Sequence, residues 1–173
     1  MFLKPAQIIQ DLKSKGYLLE GFVAADLGCG SGYFTSLLAE AVGPQGRVKA
    51  VDIDEEVLSG AKEFVELTGY KNVDYILGNL EEKIDIESDS CDLVLISQVL
   101  YQSDFPDNIL KEAFRILKPN HFLVVVEPAK ENVLFSDQKT FTKQEIEDLI
   151  VKSKFKILES DLKDNFHLII ATK

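Results

Sequence analysis

Cysteine is scarce in this chain: Cys29 and Cys91 are the only two among 173 residues. They form no C-x-x-C pair and stand in no cluster with histidine. Neither a zinc centre nor a disulfide framework is indicated, and a reducing, cytoplasmic setting is expected. Basic charge is also short, with 19 lysines and arginines against 29 acids and a net charge of −10. Proteins that bind bare nucleic acid usually present a basic face, so the balance argues against such a partner. No apolar run approaches the roughly 20 residues that span a bilayer, and no membrane association is expected. The opening Met1–Phe2–Leu3–Lys4–Pro5 lacks the apolar segment of a secretory signal. Repeats, linkers and low-complexity stretches are missing too. What remains is a balance ordinary for a folded domain, 46% hydrophobic and 28% charged. Residues 1–173 read as one domain, with a short helix in 1–21 and a core over 22–173.

The most informative feature is a corner of glycines. Val23–Ala24–Ala25–Asp26–Leu27 is an apolar run carrying an acid near its end, and Gly28, Gly30 and Gly32 follow at alternate positions. A helical pattern from Phe34 to Val42 comes next. A strand, a tight glycine turn and a helix N-terminus in that order make a nucleotide-binding corner, because glycine lets backbone approach a ligand closely. A second apolar run, Val48–Val51, ends in Asp52, twenty residues after Gly32. An acid at the tip of the second strand of such a unit is placed to accept both hydroxyls of a ribose. The spacing differs from the dinucleotide fingerprint G-x-G-x-x-G: Gly32 comes one residue early, and Tyr33 stands where the glycine belongs.

Periodicity supplies the frame. Strands are expected over 22–27, 47–52, 73–78, 92–97, 122–127, 155–159 and 166–172. Helical stripes fall between them: Phe34, Leu37, Leu38 and Ala41, then Val57, Leu58, Ala61 and Val65, then Ile109, Leu110, Ala113 and Phe114. Ile8, Ile9 and Leu12 mark a leading helix near Pro5, and Thr142 with Glu145 forms a capping-box pattern ahead of Ile146. Strands that alternate with helices up to strand six predict a doubly wound parallel sheet. The last two strands have only Ser160–Asn165 between them, too short for a crossover, so they should pair antiparallel.

The pattern Asp26-x-Gly28-x-Gly30-x-Gly32 resembles the first motif of the class I S-adenosylmethionine-dependent methyltransferases. Ile109–Pro119 is similar to the helix and turn before that family's fifth strand. The family's double glycine there is replaced by Asn120–His121, and asparagine tolerates the left-handed conformation the turn needs. The resemblance implies an α/β, Rossmann-like doubly wound sheet of seven strands in the order 3-2-1-4-5-7-6, with strand 7 antiparallel and helices on both faces. It also implies S-adenosyl-L-methionine as cofactor and S-adenosyl-L-homocysteine as product. The cofactor residues carried over are Asp26, Gly28, Cys29, Gly30, Gly32, Phe34, Asp52, Ile53, Asn79, Leu80, Ser97 and Gln98. No metal site and no catalytic residue are nominated.

Several of these positions admit two readings. Asp26 either orients the methionine end of the cofactor or bonds only within the turn. Asp52 is favoured over Asp54 for the ribose, since Asp54 precedes Glu55–Glu56–Val57 like a helix N-cap. Asn79 stands where many relatives carry an acid; its amide oxygen can still accept from adenine, or it is a polar turn residue. Ile53 lies against adenine or is an ordinary loop residue. Tyr101 lines an acceptor pocket or merely packs. Glu127, at the end of the fifth strand, positions an acceptor, acts as a base or is a plain surface acid. His167 is more readily structural, His121 lies away from the ligand end, and Cys91 belongs to the core. The loop Pro128–Phe141, with Phe135 and Phe141, is the candidate cover of the site.

The Asn/Asp-Pro-Pro-aromatic motif of nucleic-acid amino methyltransferases is missing after the fourth strand, as is the Pro-Cys nucleophile of the cytosine C5 enzymes. The expected activity is therefore in-line methyl transfer to a small-molecule acceptor. The alternatives are a cofactor-binding protein that is inactive alone or acts on a macromolecule with a partner, and a nicotinamide-dependent oxidoreductase. Oligomeric state is left open.

Overall fold

The inner strands alternate their side chains between two apolar layers, and that period of two organises the molecule. The computed structural model describes residues 3–130, 133–135 and 139–173. Ala24, Val48, Ala50, Leu93, Leu95, Val124 and Val126 face one layer. Their neighbours Ala25, Leu27, Val51, Val94, Ile96, Leu123 and Val125 face the other. The first layer is filled by α1 (Pro5–Ser14), α2 (Tyr33–Val42) and α3 (Glu55–Leu67) through Ile8, Leu12, Leu38, Leu58, Ala61 and Val65. The second is filled by α4 (Pro106–Ile116) and α5 (Lys143–Lys152) through Ile109, Leu110, Ala113, Ile146 and Ile150. Helices thus cover both faces.

The strands are β1 (Val23–Leu27), β2 (Arg47–Asp52), β3 (Val73–Leu77), β4 (Cys91–Ser97), β5 (Leu117–Pro128), β6 (Lys156–Lys163) and β7 (Phe166–Thr172). They form one sheet in the order β3-β2-β1-β4-β5-β7-β6. The first five pair parallel, and β7 runs antiparallel between β5 and β6, as expected. β4 is buried almost throughout, which explains its unbroken apolar centre.

Two boundaries differ from the expectation by more than one residue. β5 begins at Leu117 rather than 122, because Leu117 already pairs with Cys91 before the register shifts and resumes at Phe122 with Leu93. Asn120 sits in that irregular stretch with φ +61°, the left-handed conformation anticipated for it. The final hairpin is also tighter than 160–165. β6 extends to Lys163, which pairs with Phe166, and the turn is only Asp164–Asn165, both at positive φ (+52° and +64°). Two such residues make the turn whose twist matches a β-ribbon, and Asp and Asn accept it readily.

Helix starts follow local chemistry. The Asp54 carboxylate accepts from the N–H groups of Glu56 and Val57 and caps α3. Thr142 and Glu145 complete a capping box on α5. Pro106 opens α4 at a position where its missing N–H costs nothing. No helix among the described residues is long and apolar enough to cross a membrane.

Candidate active site

The carboxyl ends of β1, β2, β3 and β4 converge on one cavity of about 610 Å³, within the range of small-molecule sites. Every predicted cofactor residue except Gly32 lines it: Asp26, Gly28, Cys29, Gly30, Phe34, Asp52, Ile53, Asn79, Leu80, Ser97 and Gln98. The strand tips are laced together by backbone bonds. Gly28 and Cys29 both donate to the Val51 carbonyl, at 2.8 and 2.9 Å, and Gly78 donates to that of Asp52 at 2.9 Å.

The three glycines do different work, although all sit at positive φ. A Cβ on Gly28 would lie 2.3 Å from Val99 Cγ2, so Gly28 lets the turn pack against the loop after β4. A Cβ on Gly30 would meet nothing within 4 Å, since it would project into open space beside the cavity. Gly32 is the left-handed N-cap of α2, and a Cβ there would come within 3.1 Å of Ala61 on α3. It sits between two helices and does not line the cavity.

Two acids divide their labour. Asp52 Oδ2 accepts the Gly30 N–H at 3.0 Å and Oδ1 accepts the Asp54 N–H at 3.1 Å. Asp54 turns away to its cap, as the sequence suggested. Asp26 is buried, with Oδ2 accepting from Thr35 Oγ1 at 2.6 Å. Burial pushes its carboxyl up to about 6; the Thr35 bond opposes the shift and the Asp52 charge adds to it. Burial likewise raises the Cys29 thiol, helped by Asp26 and Asp52. Asn79 lines the cavity and also closes a turn, its Oδ1 accepting from the Glu81 N–H at 3.0 Å. Ile53 is 67% exposed at the rim. Ser97 Oγ is buried without a hydrogen-bond partner among the described residues, an arrangement that calls for a ligand or water.

Several lining residues escaped the sequence reading. Leu3 and Pro5, from the segment leading into α1, form part of the wall, as do Gln102, Ser103 and Ile109. The loop 128–141 is therefore not the sole cover. Its residues 131, 132 and 136–138 lie outside the described residues. Phe135 does not line the cavity; it packs edge-on against Tyr101, which does, with ring centroids 5.5 Å apart. Phe141 bridges to Ala129 and accepts from His167. His167 is buried beneath that strap and does not line the cavity, and Cys91 is core.

Glu127 is the largest correction. It is fully buried rather than a surface acid, and it does not line the cavity. Its Oε1 accepts from the N–H groups of Val99 (2.8 Å) and Leu100 (2.9 Å), and Oε2 from Tyr101 (3.2 Å). Burial raises its carboxyl to about 7 against the pull of those three bonds. The signal available in the sequence was an acid ending an unbroken apolar run, Val124–Val125–Val126, with two further strands still to come.

This sheet order and glycine corner define the class I methyltransferase architecture, and the family comparison agrees. Residues 19–168 match the family model of the methyltransferase domain, so the chain belongs to that family. It is 37% identical over 109 residues to a demethylmenaquinone methyltransferase of Lactococcus lactis subsp. lactis, covering 63% of this chain and 43% of that protein. It is 35% identical over 108 residues to an arsenite methyltransferase of Aquipseudomonas alcaligenes, covering 59% of this chain and 31% of that one. The chain thus spans half the length of these relatives or less. Among solved structures, a SAM-dependent methyltransferase from Aquifex aeolicus superposes with a TM-score of 0.84 over 98% of both chains, at 22% identity. The [4+2]-cyclase SpnF superposes with a TM-score of 0.81 at 14% identity, covering 97% of this chain and 81% of that one. These last two likenesses concern the fold, which hosts more than one chemistry.

Proposed function

We propose that the chain is a single-domain S-adenosyl-L-methionine-dependent methyltransferase acting on a small-molecule acceptor. The observation that carries this reading is the Asp52–Gly30 arrangement. An acid at the β2 tip and a glycine with open space at its missing Cβ border one cavity, and both are held by the same hydrogen bond. The lining fits a cofactor that carries positive charge: among the described residues it holds Asp26, Asp52 and Glu81, and no lysine, arginine or histidine. It matches the dinucleotide fingerprint less well, since Tyr33 stands at its third glycine position.

In this reading Asp52 accepts the ribose hydroxyls and the free Ser97 hydroxyl bonds the methionine portion. Asp26, through the oxygen not engaged by Thr35, orients the amino end. Leu80 and Ile53 flank the adenine, and Asn79 accepts from its amine. The cofactor, when bound, supplies a methyl group already made electrophilic by the sulfonium. The chain's task is then to hold the acceptor in line and keep water out, which Leu3, Pro5, Val99, Tyr101 and Ile109 are placed to do. Such orientation is worth up to about 7–11 kcal/mol of barrier. That the small-molecule relatives act on a demethylmenaquinone and on arsenite supports a small acceptor here. The test is calorimetric titration of the full chain with S-adenosylhomocysteine and, separately, NAD. Micromolar binding of the former alone is expected. Binding of NAD instead, or of neither, overturns the proposal.

A further inference from the structure

We infer that Glu127 is a positioning residue: its buried carboxylate holds the loop after β4 in the one shape that completes the wall of the cofactor cavity. The inference rests on the reading of that cavity given above. Four consecutive features carry it.

The loop is backbone-strained at its first residue. Gln98 adopts φ +59°, unusual for a side chain other than glycine, while its N–H still donates to the Val126 carbonyl at 2.8 Å. Such a conformation persists only where the surroundings over-determine it. The next three N–H groups, those of Val99, Leu100 and Tyr101, then all point at one carboxylate. They open the short 3-10 turn Leu100–Gln102, so the carboxylate satisfies donors that have no partner within the turn. Gln102 closes the loop from the other side, its Nε2 donating to the Gln98 carbonyl at 2.5 Å.

What the loop shapes is the cavity. Gln98, Val99, Tyr101, Gln102 and Ser103 all line it. Val99 is also the side chain that would collide with any Cβ on Gly28. Glu127 therefore acts on the glycine corner through a single intermediate contact, without touching the cavity itself.

No cation pairs with Glu127 among the described residues. The titratable groups that face it are His167, its direct partner across the β5–β7 pairing, and the Tyr101 phenol, which burial and then the Glu127 charge push upward. Only the ionised form accepts all three bonds together. A proton on Oε2 would remove the acceptor of the Tyr101 N–H, leaving the loop held at Val99 and Leu100 alone.

The test uses the full chain with S-adenosylhomocysteine as the probe. In Glu127→Gln, affinity should fall at least ten-fold although the protein remains folded by circular dichroism. Hydrogen exchange at the Val99, Leu100 and Tyr101 amides should quicken. A purely structural role would lower the melting temperature and leave affinity and loop exchange unchanged, and that result overturns the inference. Should Glu127→Gln fail to fold, Glu127→Asp decides, since it keeps the charge and shortens its reach. Unchanged affinity together with unchanged exchange at the three amides in that variant overturns the inference. Wild-type protein that binds no S-adenosylhomocysteine removes the reading on which the inference stands. Wild-type binding with an unaffected Glu127→Gln variant defeats the inference alone.

Discussion

Asp52 and Gly30 are joined by a 3.0 Å hydrogen bond from the Gly30 N–H to the Asp52 carboxylate. The acid expected to receive a ribose is thus also the strut of the glycine loop, and the two roles share one side chain. Asp52→Ala should weaken S-adenosylhomocysteine binding by about 1–3 kcal/mol, the cost of losing charged hydrogen bonds. Asp54→Ala should leave affinity intact and cost about 1 kcal/mol of stability through its lost cap. Calorimetry beside thermal melting checks the pair, and an exchange of the two phenotypes would refute the assignment.

Gly30 and Gly28 separate ligand space from packing space. Gly30→Val should abolish S-adenosylhomocysteine binding and leave a folded protein, destabilised by about 1–2 kcal/mol for its left-handed backbone. Gly28→Ala carries the same strain and adds a collision with Val99, so it should be the less stable of the two. Denaturant unfolding ranks them. Unchanged affinity in Gly30→Val would mean that the open space beside it is not ligand space.

Asp26 and Glu127 make a prediction about pH. Both have folded values raised by burial, to about 6 and about 7, from ordinary values of 3.8 and 4.5. Between about pH 4 and 7 the folded state keeps protons that the unfolded state has released, so their contribution to stability is greatest below pH 4 and is lost as pH rises through 6 and 7. Asp26→Asn should flatten the lower part of that slope and Glu127→Gln the upper part. Urea midpoints measured from pH 4.5 to 7.5 would show it. Variants whose slopes match the wild type would exclude these two groups as its source.

Thr35 gives a simpler case. Among the described residues its hydroxyl is the one side-chain donor to the buried Asp26 carboxylate. Thr35→Val keeps the shape and removes the donor, which should cost about 1–3 kcal/mol at neutral pH. The loss should shrink at pH 5, where Asp26 is protonated. A loss independent of pH would point to packing instead.

Much of this molecule is written in local pattern. Alternation along β1, β2 and β4, the 3.6-residue stripes of α2 and α3, and the capping residues Asp54 and Thr142 are all properties of neighbours in the chain. Physical chemistry acts on them without reference to distant segments. The corner from Asp26 to Gly32, followed by Asp52, was legible for the same reason, and it led to the cavity lining. Other features came from contacts across the fold. Gly32 packs on Ala61, twenty-nine positions away in the chain (61 − 32 = 29), so its spacing in the motif could not reveal its neighbour. Leu3 and Pro5 reach the cavity because α1 packs on α2. The sequence left Glu127 among an acceptor-positioning group, a base and a surface acid. Its burial was decided by β7 pairing on one side and the loop after β4 folding over it. That arrangement places three backbone donors around a charge, and the pattern of a single strand carries no record of it.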